Sequence, residues 1–339
     1  MNTGVAVCKL TADTATVRPK TIPRATAPWW WQGEEVNADD PVETYEHTSV
    51  LLREVADALL RSPEGLYIDV TLGGGGHSAA LLTEATGARV IGFDRDPAAL
   101  AAAQRRLAPW GERFVCGKAT FSELGAALTE RDVNTVDGIV ADLGVSSPQL
   151  NQPARGLSFR TEGPLDMRMD PTSGVTAAEL VADLSCDELA DVLYQYGEER
   201  RSRRIARCIK RASELGELTT TLDLRRAVVR AVGPARVGGI DPATRTFQAL
   251  RIAVNGELDE LTALITTAAE RLTSGGVLAV ISFHSLEDRI VKRALQNRAV
   301  WAPLTKKPVT PTEEEIAANP RARSAKLRAA VRMDPIESS

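Results

Sequence analysis

Asp69-Val70-Thr71-Leu72-Gly73-Gly74-Gly75-Gly76-His77 runs from a short apolar stretch into four consecutive glycines. Glycine has no Cβ and adopts positive φ freely, so such a turn can bring bare backbone up to a nucleotide-like ligand. Two more apolar stretches end in acids, Asp94 and Asp142. Asp94 lies 18 residues after Gly76, close to the roughly 20 expected of a carboxylate that holds ribose hydroxyls. This spacing does not separate NAD from S-adenosylmethionine, and Gly74-x-Gly76-x-x-Ala79 would satisfy a dinucleotide pattern. Asp69 separates them better. It sits in the apolar run, four residues before the glycines, where an anion suits a cationic sulfonium and ammonium better than a pyrophosphate. Asp69-x-Thr71-x-Gly73-x-Gly75 resembles the (D/E)-x-(G/T)-x-G-x-G motif of methyltransferases. The cofactor reading is therefore S-adenosylmethionine, with S-adenosylhomocysteine as product.

These residues need a scaffold that gathers strand ends. The pattern predicts a helix over 51–60, a strand closing at Asp69, and a helix beginning near Ser78. It predicts strands at 88–94, 113–116, 136–142 and 277–283, with helices at 97–107, 121–130, 255–272 and 286–296 between them. Asp96 and Pro97 read as the cap and first position of the helix over 97–107. Residues 143–172 read as a long ordered loop, and 177–251 as entirely helical. A last edge strand is expected at 325–333. The fold expected is α/β: a Rossmann-like class I methyltransferase domain with an inserted all-helical domain. Its divisions are a disordered extension over 1–44, a first methyltransferase part over 45–145, an inserted loop and helical substrate-recognition domain over 146–252, and a second part over 253–339 with a basic tail.

Of the 339 residues 43% are hydrophobic and 25% charged, as in a globular protein. No apolar run approaches the ~18 residues of a membrane span. Four scattered cysteines form no C-x-x-C pair, and the three histidines are far apart. A cytoplasmic, metal-free protein without membrane contact is expected. The net charge of −4 hides basic regions. Residues 198–251 hold 13 Lys/Arg against 6 Asp/Glu, and 288–332 hold 11 against 4. Such local surface is what phosphate binding requires. Arg201, Arg204 and Arg207 would lie along one helix for RNA phosphates, and 319–326 would be a second strip. Phe159 and Phe283 are candidates to stack on a base drawn out of its stack. The Trp29-Trp30-Trp31 cluster could dock on the body or on RNA.

Several stretches resemble the RsmH (MraW) family of bacterial 16S rRNA cytosine-N4 methyltransferases. They are Tyr45-Glu46-His47-Thr48-Ser49, the turn ending Gly75-Gly76-His77, Phe93-Asp94-Arg95-Asp96-Pro97, Asp142-Leu143-Gly144-Val145-Ser146-Ser147-Pro148-Gln149-Leu150, Gly163-Pro164-Leu165-Asp166-Met167-Arg168, Tyr196-Gly197-Glu198-Glu199-Arg200 and Ser282-Phe283-His284-Ser285-Leu286-Glu287. They run in family order from 45 to about 333, and 1–44 lies outside. One departure is Gly74, where relatives can carry a larger residue. The resemblance implies cofactor contacts at Gly75, Gly76, His77, Asp94, Phe121, Asp142 and Gln149. It implies a decoding-centre cytosine, position 1402 in standard rRNA numbering, as target, with 16S rRNA in the small ribosomal subunit as partner. A homodimer stays open.

The cytosine amine is a poor nucleophile, because its lone pair is delocalised into the ring. Asp142, or a carbonyl of the loop after it, is the candidate acceptor for its N–H groups. His284 could face the pocket or be a structural histidine; His77 would shape the turn. Competing readings are a methyltransferase on DNA or a small molecule, a catalytically silent RNA-binding protein, and an NAD-dependent oxidoreductase. The intact acids oppose the second, and Asp69 opposes the third.

Overall fold

A computed structural model describes residues 49–235 and 239–334. The expectations for 1–44, including Trp29 to Trp31, and for residues 45–48 lie outside these residues.

The apolar stretches form β1 (Leu66–Asp69), β2 (Arg89–Asp94), β3 (Phe114–Lys118), β4 (Val136–Asp142) and β5 (Leu272–Ser282). They run parallel in the order β3-β2-β1-β4-β5. Strand side chains alternate between faces. Ile68, Ile139, Leu278 and Val280 pack into one core, and Tyr67, Val140, Ala279 and Ile281 into another. With apolar cover on both faces, each strand reads as a continuous hydrophobic run, which is why all five were recognisable. Helices Leu52–Leu59, Gly76–Glu84 and Pro97–Leu107 bury residues in the second core. Leu124–Thr129, Glu257–Arg271 and Ser285–Ala294 do so in the first.

The far side of the sheet differs from expectation. β7 (Lys326–Arg332) is not an edge strand: it pairs antiparallel with β5 on one side and with β6 (Trp301–Pro303) on the other. β6, three residues ending in proline, takes the edge, where a missing N–H is tolerated. The long helix expected over 255–272 starts after Gly256, whose φ of 61° separates Thr244–Asn255 from Glu257–Arg271. No helix among the described residues is long and apolar enough to cross a membrane.

Between β4 and Asn255 lies the insertion. Its principal helices are Ala177–Asp183, Cys186–Gly197, Ser202–Glu214, Thr221–Val232 and Thr244–Asn255. They bury a core of their own, drawn from residues 157–250. Thr176, Ser185 and Thr220 start three of them with reciprocal capping boxes. The stretch read as loop, 143–172, also holds a short helix, Ser147–Asn151, capped by Ser146 and Gln149. Polar contacts tie the insertion to the sheet end. Arg155 meets Asp96 at 2.7 Å, Lys118 meets Asp170 at 2.7 Å, and Arg95 donates to the Asn255 carbonyl at 3.0 Å.

Candidate active site

A cleft opens beyond the C-terminal ends of the five parallel strands, at the point where the strand order reverses between β1 and β4. Each strand contributes lining: Thr71 and Gly73 after β1, Asp94 at β2, Phe121 after β3, Asp142 and Gly144 at β4, and Phe283 after β5. The cleft spans about 940 Å³ of space, its open mouth included.

Asp94 is held rigidly. It accepts from the Gly73 N–H at 2.8 Å and the Asp96 N–H at 2.9 Å. Burial nevertheless pushes its pKa up to about 6, outweighing these bonds. Asp142 is placed by its own backbone, whose N–H donates to Thr71 Oγ1 at 2.6 Å. Its Oδ1 is buried and without a hydrogen-bond partner among the described residues. Such an orphan acceptor is costly in a folded protein unless a ligand completes it.

Asp69, read from the sequence as a cofactor-facing acid, does not line the cleft. It is buried beneath the turn, accepting from Ser78 Oγ at 2.8 Å and the Thr71 N–H at 3.2 Å. Burial raises its pKa more than these bonds and nearby His77 lower it. Gly75 and Gly76 are also set back from the lining. A Cβ on Gly75 would lie 2.7 Å from Leu107 Cδ1, and one on Gly76 would lie 3.1 Å from Ser49 Cβ. Their missing side chains thus admit neighbouring core, while Gly73 reaches the cleft. His77 is buried behind Asp142, its Nε2 3.5 Å from Asp142 Oδ2.

Gln149 lines the cleft with both ends of its amide engaged. Its Oε1 accepts from the Ser146 N–H at 2.9 Å, and its Nε2 donates to Asp96 Oδ2 at 2.8 Å. It fastens the loop after Asp142 to the end of β2. Phe121 lies in a turn just before the helix in which it was expected, and its ring backs onto the sheet core. Phe159 is away from the cleft lining, packed edge-on against Phe247 with ring centroids 4.9 Å apart; Phe283 does face the cleft. Arg201, Arg204 and Arg207 are exposed on the insertion, outside the cleft.

Sequence reasoning missed Glu257, Glu260, Met169 and Glu287 in the lining. Glu287 had a signal: His284-x-x-Glu287 is a capping-box spacing. The structure forms that box, with Glu287 Oε2 accepting from the Phe283 N–H at 2.8 Å and the His284 N–H at 3.2 Å. His284 thus caps this helix, its Nδ1 accepting from the Glu287 N–H at 3.4 Å, while its Nε2 lies buried 3.1 Å from Glu287 Oε1. Ligand atoms of Glu257, His284 and Glu287 lie within 4.8 Å of one another. Arg251 already occupies Glu257 through two bonds of 2.7 and 2.8 Å, supplying the positive charge there.

A family model described as the MraW methylase family matches residues 44–333. The chain belongs to the MraW methylase family. Ribosomal RNA small subunit methyltransferase H of Sorangium cellulosum is 64% identical over 293 residues, covering 86% of this chain and 93% of that protein. The protein of the same name from Synechococcus elongatus is 51% identical, covering 86% and 96%. Among solved structures, an rRNA methylase from Streptococcus thermophilus is similar at a TM-score of 0.38 and 11% identity, over 84% of this chain and 94% of that one. This member of the family is a class I S-adenosylmethionine-dependent methyltransferase in architecture. Its parallel strands deliver their ends to one cleft, and its helical insertion stands beside that cleft.

Proposed function

We propose that this methylase transfers a methyl group from S-adenosylmethionine to the N4 amine of the decoding-centre cytosine, position 1402, of 16S rRNA, within the small ribosomal subunit. The observation that carries the reading is Asp142: a buried carboxylate oxygen, unpartnered among the described residues, at the cleft where a cofactor and an amine would meet. The relatives are named as methyltransferases of small-subunit ribosomal RNA, which supports that RNA as the substrate.

The cleft suits the cofactor on its own chemistry. With Glu257 already paired to Arg251, it holds Asp94, Asp142, Glu260 and Glu287 against Arg95, an anionic balance that favours a cation. Asp94 at the end of β2 would hold the ribose hydroxyls, Phe121 would wall the adenine, and Gly73 leaves room for close approach. The cofactor supplies an electrophilic methyl group on a sulfonium.

The chain's task is to make the amine a usable nucleophile. Asp142 Oδ1 accepts one N–H of the amine, fixing its direction and drawing electron density towards nitrogen. The same oxygen receives the proton released when the new N–C bond forms. Such a positioned acceptor contributes about 10²–10⁴-fold, while holding the partners in line contributes roughly 7–11 kcal/mol. The base needs a face to rest on, and Phe283 beside Gly144 offers one, with Gly144 leaving only 3.7 Å between its Cβ position and that ring.

The test is mass spectrometry of 16S rRNA from cells lacking the protein, complemented with wild type or Asp142→Ala. Loss of the decoding-centre modification, restored only by wild type, is expected. An unchanged spectrum at that cytosine in cells lacking the protein overturns the substrate. Near-normal turnover by Asp142→Ala at saturating cofactor removes Asp142 from the mechanism.

A further inference from the structure

The insertion carries a second concave surface, separate from the cofactor cleft and lined by Tyr194, Arg200, Arg201, Arg203, Arg204 and Arg207. Tyr194 projects from helix Cys186–Gly197, which buries Leu189, Ala190 and Leu193. Its side chain is 61% exposed and makes no hydrogen bond or ring contact among the described residues. A phenol left without a partner and a ring left largely to solvent call for an explanation.

The arginines call for one too. Arg200, Arg204 and Arg207 are exposed and form no ion pair or side-chain hydrogen bond among the described residues. Arg203 reaches exposed Asp187 at 3.3 Å, and Arg201 donates to the Val232 carbonyl at 3.3 Å. Arg203 and Arg207 stand one turn apart on helix Ser202–Glu214, a spacing at which like charges oppose the helix. Five arginines face only Asp191 in the lining and Asp187 beside Arg203, and this net positive cluster around a bare aromatic ring suits a polyanion that also presents flat apolar faces.

The helix that carries Tyr194 ends against the helix beside the cleft. Just past Gly197, Glu198 accepts from Ser285 Oγ at 2.9 Å and from Arg289 at 3.0 Å. Both belong to the helix that follows Phe283 and carries Glu287, two residues of the cleft lining.

We propose that this surface binds unpaired nucleotides flanking the methylation target, one base stacking on Tyr194 while the arginines hold the neighbouring phosphates. This rests on the reading of the substrate as RNA and adds how the strand is held outside the cleft. Base–aromatic stacking is insensitive to sequence, so the surface anchors the strand and leaves choice of base to the cleft. Duplex RNA presents phosphates but no free base face, and satisfies only the arginines.

The experiment titrates the full-length protein with a labelled single-stranded oligoribonucleotide and the same sequence as a duplex. Inorganic polyphosphate is the base-free competitor. Tyr194→Ala is expected to weaken single-strand binding by about tenfold or more, with competition by polyphosphate and the salt slope unchanged. Tyr194→Phe keeps the ring and is expected to stay within about twofold of wild type. The double variant Arg204→Gln/Arg207→Gln is expected to weaken both ligands and lower the salt slope by about 1.4. Wild-type affinity in Tyr194→Ala, equal losses in the Ala and Phe variants, or no single-strand binding by wild type would each overturn the proposal. Binding of S-adenosylhomocysteine and the rRNA mass spectrum report on the proposed activity independently. A neutral Tyr194→Ala beside intact methylation therefore sinks this surface alone.

Discussion

His77 Nε2 stands 3.5 Å from Asp142 Oδ2 with both side chains withdrawn from water, an ion-pair separation rather than a directed hydrogen bond. Asp69 lies in the same buried group and adds its charge. Burial alone would lower the His77 pKa, but attraction to Asp142 and Asp69 outweighs it and raises the imidazole above its ordinary value. The ring thus sets the charge environment of the carboxylate that faces the cleft, while contributing nothing to the lining itself.

The stability of this arrangement is linked to pH with a definite sign. A group whose folded pKa is raised stabilises fully below its unfolded pKa and loses that contribution as pH rises through the folded value. His77→Gln should therefore lower Tm more at pH 6 than at pH 9, relative to wild type at each pH. Thermal unfolding across that range measures it. An equal decrement at both ends would show that the imidazole charge plays no part.

Asp94 predicts an effect on binding. With its pKa near 6, the carboxylate protonates just below neutral pH and loses part of its capacity to accept from ribose hydroxyls. Affinity for S-adenosylhomocysteine should fall as pH drops through 6. In Asp94→Asn it should be weaker by roughly 10- to 100-fold at neutral pH, since hydrogen bonds to charged groups contribute about 1.5–3 kcal/mol. Its dependence on pH in this window should flatten. Calorimetric titration distinguishes the cases, and an unaltered pH profile in Asp94→Asn would assign the window to another group.

The glycine turn yields a prediction that separates packing from ligand approach. Gly75 has φ 73°, which costs an L-residue about 1–2 kcal/mol, and its absent Cβ is replaced in space by Leu107. Overpacking adds a further ~1–3 kcal/mol. Gly75→Ala should thus be destabilised by about 2–5 kcal/mol in urea unfolding even without cofactor. A normally stable variant with weakened cofactor affinity would return Gly75 to the ligand.

The parts of this site legible in the sequence are those set by local chain direction. A parallel strand ending in Asp94 or Asp142 leaves its acid at the C-terminal end of the sheet whatever the rest of the chain does, and both line the cleft. Asp69 has the same signature, yet its side chain turns inward to Ser78. Which way a side chain faces depends on register and covering helices, which residue types do not record. Met169, Glu257 and Glu287 reach the cleft from the insertion and the helices after it. Their placement rests on long-range packing of the kind that also puts β7 inside the sheet. β6 escaped notice because three residues carry no measurable alternation.

Arg155 gives the last prediction. Its guanidinium meets Asp96 Oδ2 at 2.7 Å and donates to the Met169 carbonyl at 2.5 Å, so one side chain joins the insertion to the end of β2. Asp96 is 1% exposed. Removing one partner of a buried pair costs about 3–5 kcal/mol. Here Asp96 keeps the Ala98 N–H at 3.0 Å and the Gln149 amide at 2.8 Å, which places the expected loss for Arg155→Met near the lower end. The same change loosens Met169 and Gln149, both in the cleft lining. Cofactor affinity should therefore fall together with stability, whereas Arg203→Gln, which breaks only an exposed pair, should leave both within about 1 kcal/mol of wild type. Chemical unfolding and S-adenosylhomocysteine titration of the two variants make the comparison. Stability loss without any change in cofactor affinity would mean that the insertion's docking does not shape the cleft.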